Sequence, residues 1–242
     1  MTKQADLIAY LFERQAHPLS RPLKQWMEAS PRFSTFVDTY RDKIRKKIRL
    51  TREPGSALDL RGELQVAYCL LNDRRLAVAY EPYASSKRRS PDYAVTYRSN
   101  LVFNIEVAHI RVERGEGEDI DLARKEERVL RILLDKLGQM LPGMPNLLVI
   151  HTQPELARLI ELERLLQELK IRVEKKDPAF YGNSHYASPA DFYKDFLHLN
   201  AILFWAAGLQ PWVNKQARPG LAEKVLRLVS SLAPDSGQVS GE

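Results

Sequence analysis

Asp92 and Glu106 are the residues best placed to do chemistry together. Each is the one acid in a β-rich run, "PDYAVTY" and "LVFNIEVAHI", and the two runs are joined by "RSN". If Arg98, Ser99 and Asn100 form a three-residue turn, with Asn100 in the left-handed position, Tyr97 faces Leu101 and Asp92 lies across from Glu106. Side chains opposed in this way have Cβ atoms about 4.5–5.5 Å apart. Two carboxylates that close repel unless a cation sits between them. A hard divalent ion, which takes one or two carboxylates plus water, is one answer. A pair of acids on a solvated sheet face, each matched by Arg or Lys, is the other. Glu63 adds to the first answer: it falls beside the apolar stripe Leu60, Leu64, Ala67 and Leu71, where a carboxylate needs a cation, metal or arginine.

The elements that must position these residues follow from periodicity. Residues 4–50 read as three helices, "ADLIAYLFERQ", "PLKQWMEAS" and "PRFSTFVDTYRDKIRKKIRL", the last basic on its exposed side, and "TREPGS" reads as a loop. A helix over "ALDLRGELQVAYCLL" leads into three strands, "LAVAYEP", "PDYAVTY" and "LVFNIEVAHI". An amphipathic helix runs from Ile120 to Leu141, and "NLLVIHT" is a buried strand. "PELARLIELERLLQELK" and "LAEKVLRLVSSL" are helical, "NAILFWAA" is a strand or a short helix, and the tail from 233 to 242 is expected to be disordered. A hairpin followed by a helical crossover to a buried strand predicts an α/β (α+β) fold whose mixed sheet carries helices.

Composition narrows the class. The chain has 242 residues, a formal charge of +6 and one cysteine, Cys69. The charge favours a polyanionic partner. One cysteine excludes an intramolecular disulfide and a cysteine-based zinc site, and fits a reducing cytoplasm. No apolar run is long enough to span a bilayer, so no membrane role is expected.

The acids and the order of elements around them resemble the PD-(D/E)xK nuclease superfamily. Pro91-Asp92 opens one strand, Glu106 lies in the next, Glu63 sits in the preceding helix, and the αβββαβ order covers about residues 56–152. The resemblance implies a restriction-endonuclease-like domain over 56–232 behind an N-terminal helical extension, 1–55. It implies a metal-dependent endonuclease that hydrolyses phosphodiester bonds in DNA, with Mg²⁺ or Mn²⁺ held by Asp92, Glu106 and Glu63. The lysine the family places two residues after the second acid is here Ala108. Lys136, with Gln139 one turn on, is the expected replacement for that charge, and Lys125 a weaker one; otherwise Lys136 snorkels to solvent. Lys87, Arg88 and Arg89 would form a nucleic-acid rim. Tyr83, Tyr93, Tyr97 and Trp205 are candidates for base stacking or for the core, and His109 is expected in the core. Loss of the usual lysine leaves a second function open: a nucleic-acid-binding or protein-interaction module on the same fold. The N-terminal helices are open to use as a lid, a homodimer surface or packing.

Overall fold

Serine and proline set the start of the helix at residue 31. The Ser30 hydroxyl accepts the Phe33 N–H at 3.3 Å and Pro31 follows at the first helical position, so the helix begins at 31. The computed structural model describes residues 3–13, 15–51, 54–83, 91–110, 121–182, 184–206 and 208–234. The class is α+β with a mixed open sheet. Two compact units divide the chain, Met1–Tyr80 and Glu81–Glu242.

The first unit contains α1 (Lys3–Phe12), α2 (Ser20–Ala29), α3 (Pro31–Thr39), α4 (Arg41–Leu50), α5 (Pro54–Leu71) and β1 (Leu76–Tyr80). The helix expected to run from 31 to 50 is broken at Tyr40 (φ −104°, ψ 17°). Thr35 and Thr39 bond back to the carbonyls four residues earlier, which bends helices, and the Tyr40 ring packs 5.0 Å from Phe36 and 5.8 Å from Tyr80. The stretch expected as a loop, "TREPGS", instead starts α5 at Pro54, a residue the first helical turn tolerates. Helix α5 therefore spans the boundary expected at residues 55 and 56. Arg32 donates to the carbonyls of Leu71, Asp73 and Leu76 at 2.5–2.7 Å, tying α3 to the α5–β1 turn. Cys69 is buried in α5, and burial pushes its thiol up to about 12.

The second unit runs β2 (Tyr93–Tyr97), β3 (Leu101–His109), α6 (Leu122–Leu137), β4 (Asn146–His151), α7 (Pro154–Leu159), α8 (Leu162–Glu174), α9 (Pro178–Gly182), α10 (Pro189–Phe196), β5 (Leu199–Phe204), β6 (Trp212–Val213) and α11 (Glu223–Ser231). Its strands lie in the order β2-β3-β4-β5-β6: β2 and β6 are antiparallel to their neighbours, while β3, β4 and β5 are parallel. Helical crossovers between parallel strands account for the mixed sheet. Tyr97 pairs with Leu101 across the expected turn, but the left-handed residue is Arg98 (φ 55°), not Asn100, with its guanidinium 5.3 Å from the Tyr97 ring. The helix expected over "PELARLIELERLLQELK" is two, because Ile160 turns extended (ψ 118°) and buries its side chain.

Asparagines organise the head of the parallel strands. Asn104 of β3 donates to Asn146 Oδ1 of β4 at 3.0 Å. Asn146 Nδ2 donates to the carbonyls of Leu141, Met144 and His198, and its Oδ1 also accepts the Leu141 N–H. Between β4 and β5 the register slips by one residue, and Asn200 is the extra one. Its side chain accepts the Asn146 N–H at 2.7 Å and donates to Pro219 O at 2.8 Å, so a side-chain oxygen takes the place of a ladder acceptor at the bulge. Asn104 and Asn146 are fully buried, where each lost bond is expensive. The pattern is visible in the letters once the runs "NIEVAH", "NLLVIH" and "NAILFW" are aligned on their asparagines.

Asn146→Ala should destabilise the fold by roughly 3 kcal/mol or more, because several buried partners lose their bonds at about 1–3 kcal/mol each. Urea unfolding checks it: the midpoint should fall with an unchanged slope. Cys69 should react with a thiol reagent only as fast as the protein unfolds; rapid reaction under native conditions would contradict its burial.

Candidate functional site

Strand alternation puts Asn104, Glu106 and Ala108 of β3 on one face, and that face lies under α6. The face expected to be mixed is open at the turn, where Val102 is 36% exposed, and closed further along, where Glu106 is 1% exposed. Ala108 belongs to the same buried cluster as Val129, Leu133 and Leu137 of α6. A lysine at 108 would need the space that this helix fills.

Helix α6 instead delivers Lys136. Asp121 caps its start by accepting the Arg124 N–H at 3.0 Å, and Val129, Leu130, Leu133, Leu134 and Leu137 face the core. Lys136 lies beside that stripe, and its Nζ donates to Glu106 Oε1 at 2.5 Å. Lys125 stands eleven residues earlier, about 16 Å along the helix axis.

Backbone amides complete the cluster. Asp92, one residue before β2, donates its N–H to Glu106 Oε2 at 3.2 Å, and Asp92 Oδ2 accepts the Val107 N–H at 2.9 Å. Each carboxylate is thus engaged by the main chain beside the other, which fixes their relative position. Burial pulls the Lys136 ammonium down, but the charge and hydrogen bond of Glu106, with the charges of Asp92 and Asp135, outweigh it. Its pKa therefore lies above the ordinary lysine value, and the side chain is a fixed cation at neutral pH.

Glu63 of α5 does meet a cation, but that cation is Lys47 of α4, at 2.6 Å within the first unit. Gln139 is buried and lines a cleft of about 970 Å³ with Asp135, His185, Asp195 and His198. Lys87, Arg88 and Arg89 lie outside the described residues. Tyr93, Tyr97 and Trp205 are buried and so are not open to base stacking. Tyr83 donates through its hydroxyl to Asn104 Oδ1 at 3.1 Å. His109 is partly buried, and its ring centroid is 5.4 Å from that of His151, its neighbour in the parallel register. That pairing is written in the sequence as a histidine five residues after each of Asn104 and Asn146.

Two carboxylates in one hydrogen-bonded cluster meet the minimum for Mg²⁺, which keeps most of its shell as water. Among the described residues no group of three or more His, Cys, Asp and Glu side chains surrounds a metal position. No protein-family model, curated protein or solved structure matches this chain. Among the described residues, no helix is long and apolar enough to cross a membrane.

Lys136→Met should cost about 3–5 kcal/mol, because it leaves Glu106 charged and buried. Glu106→Gln/Lys136→Met should recover most of that loss in denaturant unfolding. The pH dependence has a defined sign. A lysine whose folded pKa is raised contributes stability that is fully present below the unfolded value of about 10.4. That contribution is lost as pH rises through the folded value. The stability difference between wild type and the double variant should therefore shrink as pH rises through the alkaline range; a lysine-linked change of equal size between pH 5 and 8 would contradict this assignment.

Proposed function

We propose that the second unit is a metal-dependent phosphodiester hydrolase with a restriction-endonuclease-like core, acting on DNA. One observation carries the reading: Asp92, Glu106 and Lys136 converge on one sheet face, with the lysine reaching Glu106 from the crossover helix. This is the acid–acid–cation set of PD-(D/E)xK nucleases, with the cation moved from position 108 to α6. The fit of two main-chain-anchored carboxylates to a hard ion supports it.

Asp92 and Glu106 would hold Mg²⁺ or Mn²⁺; when bound, such an ion polarises a phosphodiester and acidifies a bound water. The protein's own part is electrostatic. Lys136 is protonated, so it acts as a fixed positive charge for a phosphoryl group gaining negative charge, not as a base. The Val107 N–H holds the Asp92 carboxylate, and the Asp92 N–H holds that of Glu106, so the main chain sets their relative position. Glu63 has its own cation in Lys47, and the reading rests on Asp92, Glu106 and Lys136 alone.

A second reading has its own observation. Both Glu106 oxygens are engaged, Oε1 by Lys136 and Oε2 by the Asp92 N–H. An ammonium held this tightly neutralises the acid as an ion would, which suits a module that binds nucleic acid without cutting it.

Incubation of the full chain with supercoiled DNA and Mg²⁺ or Mn²⁺ separates the two. The hydrolase reading expects nicking that stops with a chelator and falls at least about a hundredfold in Asp92→Ala, at a temperature where the variant is still folded. Lys136→Gln should lower the rate with little change in the metal concentration required. DNA retention with no cleavage at any metal concentration would favour the binding module.

A further inference from the structure

The net charge of this protein belongs to one of its two units. Residues 1–80 hold 15 Lys and Arg against 9 Asp and Glu, whereas residues 81–242 hold 22 against 22. The unit without the candidate hydrolytic cluster thus carries the whole +6, and the field that would attract a polyanion originates there.

Helix α4 shows how that charge is presented. Arg41, Arg45 and Arg49 recur every four residues, so they form one stripe with guanidinium groups about 6 Å apart along the axis. Other cations of the helix are turned to structural use: Lys47 pairs with Glu63, and Lys43 donates to the Tyr80 carbonyl at 3.1 Å. The arginines of the stripe stay accessible, with side chains 54%, 25% and 57% exposed.

They are also held in place. Arg45 lies 4.3 Å and Arg41 5.8 Å from the Tyr10 ring centroid, and the Tyr10 hydroxyl donates to Asp42. Glu13, directly after α1, takes Arg45 at 2.7 Å and is also paired with Arg49. Arg41 is 3.6 Å from Asp38. Single carboxylates bound to one edge of a guanidinium leave other N–H donors for a phosphate, and stacking on tyrosine reduces the freedom lost on binding. Glu13, Asp38 and Asp42 therefore orient the row, and the unit still totals +6.

We propose that the Arg41–Arg45–Arg49 row on α4 is a nucleic-acid backbone site, with Glu13 as a resident competitor for two of its three arginines. Successive phosphates of a strand match a row of evenly spaced guanidinium groups, and such a contact is independent of base sequence. Lys46, exposed beside the row, adds charge. The proposal goes beyond the hydrolase reading and does not rest on it.

The test uses the full chain carrying Asp92→Asn, so that cutting cannot obscure binding, and a short labelled DNA duplex followed by fluorescence anisotropy over a salt series. Arg41→Gln/Arg45→Gln/Arg49→Gln should weaken binding equally on unrelated duplexes and reduce the log–log salt slope by about one per arginine removed. Glu13→Gln should strengthen binding, because Arg45 and Arg49 lose their competing carboxylate; arginines with a purely structural role would not give this gain. Arg158→Gln/Arg227→Gln, exposed positions of the second unit, should leave affinity unchanged. If the triple variant fails to keep its melting temperature, Glu13→Gln and Lys46→Gln decide the matter with opposite signs. The proposal is overturned if the parent does not bind the duplex, if the triple variant binds as the parent does, or if the second-unit control loses as much. Binding to anionic phospholipid vesicles in preference to DNA overturns it as well. Failure of Asp92→Ala to stop hydrolysis would end the hydrolase reading and leave this one standing.

Discussion

A carboxylate with 1% exposure inside a sheet–helix interface is the constraint on which the second unit depends. The charge of Glu106 has lost its water, and a buried charge persists only where partners replace that water. Lys136 supplies the opposite charge at 2.5 Å, and the Asp92 amide supplies a second donor. The lysine bond also fixes α6 in rotation and along its axis, because the lysine must arrive over β3 while the leucine stripe stays in the core. Electrostatics and packing thus specify the same placement of one helix. Hydrophobic isosteres often stabilise a fold as well as a buried ion pair does.

The frame under that pair is equally specific. Glu106 follows Asn104 by two residues on the same face of β3, so the asparagine bonds that join β3 to β4 also set where the carboxylate points. Strand register is otherwise loosely specified in runs buried on both faces, since slipping an apolar residue past another costs little. Buried amides remove that freedom: a slip would strand their donors and acceptors away from water. The Asn200 bulge shows the same logic, with a side-chain oxygen replacing the ladder acceptor that the extra residue displaces.

Charge is divided between the units in a way composition alone conceals. Many cations of the first unit have intramolecular work, tying α3 to the α5–β1 turn, neutralising Glu63 or reaching the Tyr80 carbonyl. The arginine row on α4 remains open to solvent and is steered by a tyrosine and by carboxylates. On the proposed readings, affinity for a polyanion and chemistry on it would reside in separate parts of the chain.

Much of this was legible from residue order. Alternation in "PDYAVTY" and "LVFNIEVAHI" located the hairpin and its facing acids, because a strand period of two leaves no other arrangement around a three-residue turn. The leucine spacing located α6, and the unbroken apolar run of "NLLVIH" marked a strand buried on both faces. Other features needed the tertiary structure. Arg98 rather than Asn100 took the left-handed position, with its guanidinium 5.3 Å from the Tyr97 ring. Lys47 answered Glu63, since a helix sixteen residues away in sequence packs beside it. By itself the sequence determined the local periods, the hairpin register and the need of an acid set among apolar residues for a cation. Which cation answers which acid was decided only by packing, because long flexible lysines and arginines reach several partners and the fold alone sets which of them is near.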